Sequence, residues 1–171
     1  MVLPKKFFIF NHFPHQKKYI HVDWNEVVTG KDPDVIGTDG VSCCLVITLY
    51  DPSTKRGVLS HIMDFFDSPI ECKAENIIDT MLKAIDLTPN SPNLSSLEAT
   101  LSGESDIDFL PSTSKSDTVK SILARYNIPI IGEDLGEITD EIEYFLFTPI
   151  STPGRLVFLH HETGIVEVYR A

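Results

Sequence analysis

The chain has 171 residues, 42% hydrophobic and 23% charged, which suits one domain with a sizeable core. Asp and Glu number 25 against 14 Lys and Arg, a formal net charge of -11. That balance argues against nucleic acid and anionic membrane surfaces, both of which select clustered Lys and Arg, and favours a neutral or basic protein surface as partner. No apolar run approaches the ~18 residues needed to span a bilayer. The apolar patch at residues 7–10 is followed by Asn11-His12-Phe13-Pro14-His15 rather than a cleavage site, so no signal peptide is expected. Three cysteines, two of them adjacent, make a poor disulfide framework and point to a reducing, cytoplasmic compartment.

Residues 1–20 are mixed aromatic, basic and His-rich, and read as an N-terminal arm or an extra strand. Residues 21–171 read as a single domain. Residues 19–24 alternate like a strand, and Gly30-Lys31-Asp32-Pro33-Asp34 marks a turn. Residues 35–38 form a short strand. Residues 44–50 are nearly continuous apolar, which suits a strand buried on both faces. A turn at 51–57 leads to its partner at 57–63, and 64–72 is expected as a loop. Residues 73–87 carry Ala74, Ile77, Ile78, Met81, Leu82 and Ile85 in one helical stripe. Residues 96–102 alternate as a strand. Ser116 is the expected N-cap of a second helix with Val119, Ile122, Leu123 and Tyr126 on one face, closed by Asn127. Strands follow at 128–131, 143–147, 155–159 and 165–169, the last two joined by Glu162-Thr163-Gly164. The acidic residues between Glu133 and Glu143 read as a solvated face. Two helices among many strands predict an α+β fold, a layered domain with mostly antiparallel sheets.

The chemistry-bearing stretch runs from Thr38 to His61. Strands joined by a tight turn lie side by side, so a thiol at the mouth of the first can face His61 near the end of the second. A thiol with an imidazole base is the minimum equipment for nucleophilic catalysis. Cys43 and Cys44 cannot both face one site in extended backbone, and the ordinary reading of either is a small buried apolar side chain. The pair His160-His161 is an alternative source of a base. A metal site from Cys43, Cys44, Cys72, His61 and His160-His161 is the other sharp option, but adjacent cysteines do not match the spacing of structural zinc ligands. No phosphate loop or serine elbow is present.

These residues resemble the CheD family, bacterial chemoreceptor glutamine deamidases. The resemblance rests on Thr38, Gly40, Ser42-Cys43-Cys44, the apolar strand to Tyr50, Asp51-Pro52, Gly57 and Ser60-His61. Leu97-Glu98-Ala99, Ile131-Gly132-Glu133-Asp134-Leu135-Gly136 and Glu162-Thr163-Gly164 extend it over most of the chain from about Glu26. The resemblance implies a CheD-like fold and a cysteine hydrolase that needs no metal or cofactor. It implies Cys44 as nucleophile when Thr38, Asp51-Pro52, Gly57 and His61 are all matched without a gap, His61 as base, and Thr38 as third member. It implies a protein substrate bearing target glutamines, chemoreceptors among the candidates, and by analogy a CheC-like phosphatase as a partner. The sequence departs from the family at Val41 and at Ser102-Gly103-Glu104-Ser105, and has no counterpart for 1–20. A deamidase acting on a different protein, such as a bacterial effector, a non-catalytic binding module, and another thiol hydrolysis on the same dyad are the competing readings.

Overall fold

In a computed structural model, the structure describes residues 6–11, 18–31, 34–41, 44–62, 70–103, 115–136, 144–145, 148–149 and 154–170, the side chains of 70–72, 144–145 and 148–149 excepted. The elements in chain order are β1 (Phe7–Phe10), β2 (Ile20–His21), β3 (Val27–Lys31), β4 (Val35–Val41), β5 (Leu45–Asp51), β6 (Arg56–Ile62), α1 (Ile70–Ala84), β7 (Glu98–Gly103), α2 (Lys115–Arg125), β8 (Ile130–Leu135), β9 (Tyr144–Phe145), β10 (Thr148–Pro149), β11 (Arg155–His160) and β12 (Ile165–Arg170). Among the described residues, ten strands form two five-stranded sheets, in orders β1-β12-β11-β4-β2 and β3-β6-β5-β7-β8, and β9 and β10 form a short ribbon. Both sheets are antiparallel at their centres. The parallel pairs, β1 with β12, β2 with β4 and β7 with β8, lie at the edges. This is the layered α+β architecture expected from the sequence.

The layers follow from the two faces of β5. Leu45, Ile47 and Leu49 pack with Ile78, Met81, Leu82, Val119 and Leu123 of the two helices. Cys44, Val46 and Tyr50 pack with Ile36, Val41, Val157 and Leu159 of the other sheet. All seven residues of β5 are buried, because one face meets helices and the other meets a sheet.

Both helices stop with the same device. After α1, Asp86 takes a left-handed φ of 62°, the Leu87 N–H bonds the Leu82 carbonyl and the Asp86 N–H bonds that of Lys83. After α2, Asn127 has φ 58°, Ile128 bonds back to Leu123 and Asn127 to Ala124. These are Schellman closures carried by Asp and Asn, two residues that tolerate the left-handed region. Three boundaries differ from expectation. Helix α1 starts at Ile70 and ends at Ala84, because the cap at Asp86 stops it before the apolar stripe runs out; the expected loop at 64–72 therefore gives up its last residues. Ser116 is buried inside the first turn of α2 rather than capping it. The strand expected at 19–24 is only Ile20–His21, with Trp24 making an isolated bridge to His61.

Candidate active site

A β-bulge in β4 sets the first residue of the site. Val157 pairs with Thr38 and Arg155 with Val41, so Asp39 and Gly40 oppose a single residue of β11. The extra residue turns both Thr38 and Val41 toward the other sheet, while Asp39 and Gly40 are exposed. Gly40 takes a left-handed φ of 66° to make this possible.

His61 comes from the facing sheet. It pairs with Val46, and Val46 belongs to the buried cluster between the sheets. His61 therefore points at β4 by strand parity. Its Nδ1 lies 2.7 Å from Thr38 Oγ1, and Thr38 Oγ1 lies 2.7 Å from the Val22 carbonyl oxygen. Thr38 has one hydroxyl proton and a carbonyl can only accept, so Thr38 donates to Val22 and accepts from His61. The proton of the neutral ring is thereby fixed on Nδ1, and Nε2 carries the lone pair. Nε2 is buried and has no hydrogen-bond partner among the described residues. Burial pushes the imidazole down to about 4; Asp39 and Asp23 oppose the shift and His21 adds to it. The ring is neutral at pH 7.

Cys44 stands just before β5, two residues from Val46, and is buried at 4% exposure. Cys44, Val46 and His61 share the face toward the other sheet, so Cys44 and His61 are diagonal cross-strand neighbours, a spacing side chains can bridge. A buried imidazole with an unprotonated Nε2 can take the proton of such a thiol. Thr38 and His61 thus meet between the sheets, and Cys44 lies in the buried cluster of Val46, the residue opposite His61. Cys43, and the side chain of Cys72, lie outside the described residues.

The alternative histidines are elsewhere. His161 is buried with Nδ1 2.9 Å from the Asp34 carbonyl oxygen and Nε2 3.1 Å from that of Gly57. Gly57 pairs with Tyr50, at the far end of β5 and roughly 20 Å along the strand from Cys44. His160 bonds Glu167. Neither can serve Cys44, and the metal set that joined them to it is not brought together. No group of three or more metal-ligating side chains occurs among the described residues.

No family model matches the chain. A curated protein is similar to it. That protein is the probable chemoreceptor glutamine deamidase CheD of Clostridium acetobutylicum, 28% identical over 134 residues, which cover 70% of this chain and 79% of CheD. The similarity agrees with the resemblance carried by the motifs from Thr38 to His61. Among solved structures, the Bacillus licheniformis hypothetical protein YfiH is a neighbour at a TM-score of 0.44 and 12% identity, over 78% of this chain. The chain covers 64% of that structure.

Sequence reasoning missed the buried charges on the neighbouring strands. Asp134, expected on a solvated face, is fully buried between Arg155 and Arg170. Arg155 Nε donates to Asp134 Oδ2 at 2.8 Å and Nη2 to the Gly136 carbonyl at 2.7 Å, while Arg170 holds the other carboxylate oxygen. Burial alone would raise the Asp134 carboxyl; the hydrogen bonds from Arg170 and Arg155, and their charges, outweigh it and hold the group below its ordinary value. The signal was present: Arg155 shares strand parity with the inward Val157 and Leu159, and an inward Arg needs an acid. No helix among the described residues is long and apolar enough to cross a membrane.

Proposed function

We propose that this protein is a cysteine-dependent protein-glutamine deamidase. Cys44 is the nucleophile, His61 the base and Thr38 the residue that sets the base's tautomer. The observation that carries the reading is the Val22–Thr38–His61 chain, which leaves an unprotonated Nε2 beside the strand that bears Cys44.

With the imidazole neutral, the resting pair is a thiol and an imidazole rather than an ion pair. Proton transfer accompanies attack. Cys44 Sγ bonds the side-chain carbonyl carbon of a glutamine as its proton passes to His61 Nε2. The C–N bond then breaks, and the leaving ammonia takes that proton. Water attacks the thioester, giving a proton to His61. The C–S bond breaks, the sulfur recovers the proton, and glutamate remains. The net change is water consumed and ammonia released, with no redox step and no cofactor. The substrate is a protein; chemoreceptors follow by analogy with the relative's name, as does a cytoplasmic setting.

The test is mass mapping of candidate proteins after incubation with wild type and Cys44→Ser. A gain of ~1 Da per modified glutamine, absent with the variant, supports deamidation rather than another thiol hydrolysis. Cys44 should also react with iodoacetamide faster than Cys43 or Cys72. An inert Cys44, or activity that survives its replacement, refutes the reading.

A further inference from the structure

Three buried polar side-chain atoms have no hydrogen-bond partner among the described residues: His61 Nε2, Ser102 Oγ and Arg155 Nη1. The strand registers place them at one end of the sheet pair. His61, Val46, Ser102 and Asp134 are successive neighbours across β6, β5, β7 and β8. Asp134 in turn holds Arg155. Cys44, two residues before Val46, is therefore a diagonal neighbour of His61 on one side and of Ser102 on the other.

Ser102 makes no evident contribution to the fold. One pair further along the same two strands, Thr48 and Thr100 share a 2.7 Å hydrogen bond, so buried hydroxyls there satisfy each other. Ser102 faces Val46, which offers it nothing. A buried hydroxyl left without a partner is destabilising, and a group retained at such a cost calls for an explanation. Behind it, the Asp134 carboxylate is held by the guanidinium groups of Arg155 and Arg170.

We propose that Ser102 is a substrate-binding residue of the same site, whose Oγ–H donates to the acyl oxygen of the target carboxamide and keeps that bond as the oxygen becomes the oxyanion. His61 and Ser102 then flank the attacked carbon from opposite sides of Cys44: one side moves the proton, the other holds the developing negative charge. The identity of the ligand rests on the deamidase reading; the position of the donor does not.

The experiment separates the two. Ser102→Ala removes a hydroxyl with no partner among the described residues, so its melting temperature should equal or exceed that of wild type. Its kcat for ammonia release should fall about 100-fold with KM little changed, the loss typical of one oxyanion donor. Ser102→Thr keeps the hydroxyl and should recover most of the rate. Independently of any protein substrate, Cys44 is alkylated with iodoacetamide, which carries a carboxamide, and with methyl methanethiosulfonate, which does not. In Ser102→Ala the iodoacetamide rate should fall while the thiosulfonate rate holds. A variant with wild-type kcat, or one in which both reagents keep their wild-type ratio, overturns the proposal. Wild type that releases no ammonia while the reagent ratio still falls in Ser102→Ala overturns the deamidase reading alone. If Ser102→Ala does not fold, the hydroxyl is structural and the proposal is likewise overturned.

Discussion

Replacing Thr38 by Val tests the tautomer argument with little change of shape. The methyl that replaces Oγ1 fills nearly the same volume, so the packing between the sheets is kept. Two buried groups lose their partner at once: the Val22 carbonyl and the Nδ1–H of His61. Each buried polar group left unpaired costs about 1–3 kcal/mol, so a loss of about 2–4 kcal/mol is expected. For a domain of this size that is a fall of roughly 5–15 °C in melting temperature. The chemical effect is separate. Without an acceptor at Nδ1, the ring proton is free to move to Nε2, where it blocks uptake of the thiol proton. A drop of about 10²–10⁴ in kcat is expected, the range supplied by a positioned general base. Nitrogen-15 spectra of the histidine rings at pH 7 read the tautomer directly, beside thermal unfolding and ammonia release. Thr38→Ser should keep the Nδ1–H form and most of the rate. Thr38→Val that retains both the Nδ1–H form and wild-type kcat would refute the reasoning, whatever its stability.

Stability should fall on acidification below about pH 6.5. The folded His61 titrates near 4 and an unfolded one near 6.5, so in that window the unfolded chain binds more protons and folding weakens as pH drops. The full swing is roughly 3 kcal/mol, complete by about pH 4. Urea midpoints for wild type and His61→Gln between pH 7.5 and 4 check it, and an equal slope in both chains would contradict the assignment. Asp134→Asn should cost about 3–5 kcal/mol, because Arg155 is left buried opposite a neutral amide; an unchanged urea midpoint would contradict this. Gly103→Ala should be much worse than Gly40→Ala, read by thermal unfolding. At Gly103 φ is 117° and a Cβ would lie 2.1 Å from the Cys44 carbonyl oxygen, so β5 and β7 must part beside the thiol. At Gly40 nothing lies within 4 Å, and only the left-handed backbone opposes alanine, by about 1–2 kcal/mol.

Much of the layered fold was legible because its signals are local. The nearly continuous apolar run of β5 announced burial on both faces, and the stripe from Ala74 to Ile85 announced a helix on one of them. Asn127 announced the end of α2. The hairpin β11–β12 was legible from Glu162-Thr163-Gly164. The parallel edges were not, since nothing in Phe7–Phe10 or Ile20–His21 names the strand it will join. The cap at Asp86 was also missed, because Asp takes the left-handed region far less often than Gly and leaves a weak signal.

The candidate site divides in the same way. By itself, the sequence determined the residue types and their spacing: a thiol ahead of an apolar strand, and His61 near the end of its hairpin partner. Those are consequences of chain connectivity, which brings β5 and β6 together whatever the rest of the molecule does. Tertiary structure decided everything that needs the second sheet. Only when β4 lies across β6 does Thr38 meet His61, and only then does the Val22 carbonyl fix the ring proton on Nδ1. That His161 lies far from Cys44 was decided there too, since the Gly57 carbonyl it bonds pairs with Tyr50 at the other end of β5. Asp134 and Arg155 are 21 residues apart in the chain and on different sheets. Their pairing, like the burial of Ser102, comes from the stacking of two sheets, a contact that local pattern does not encode.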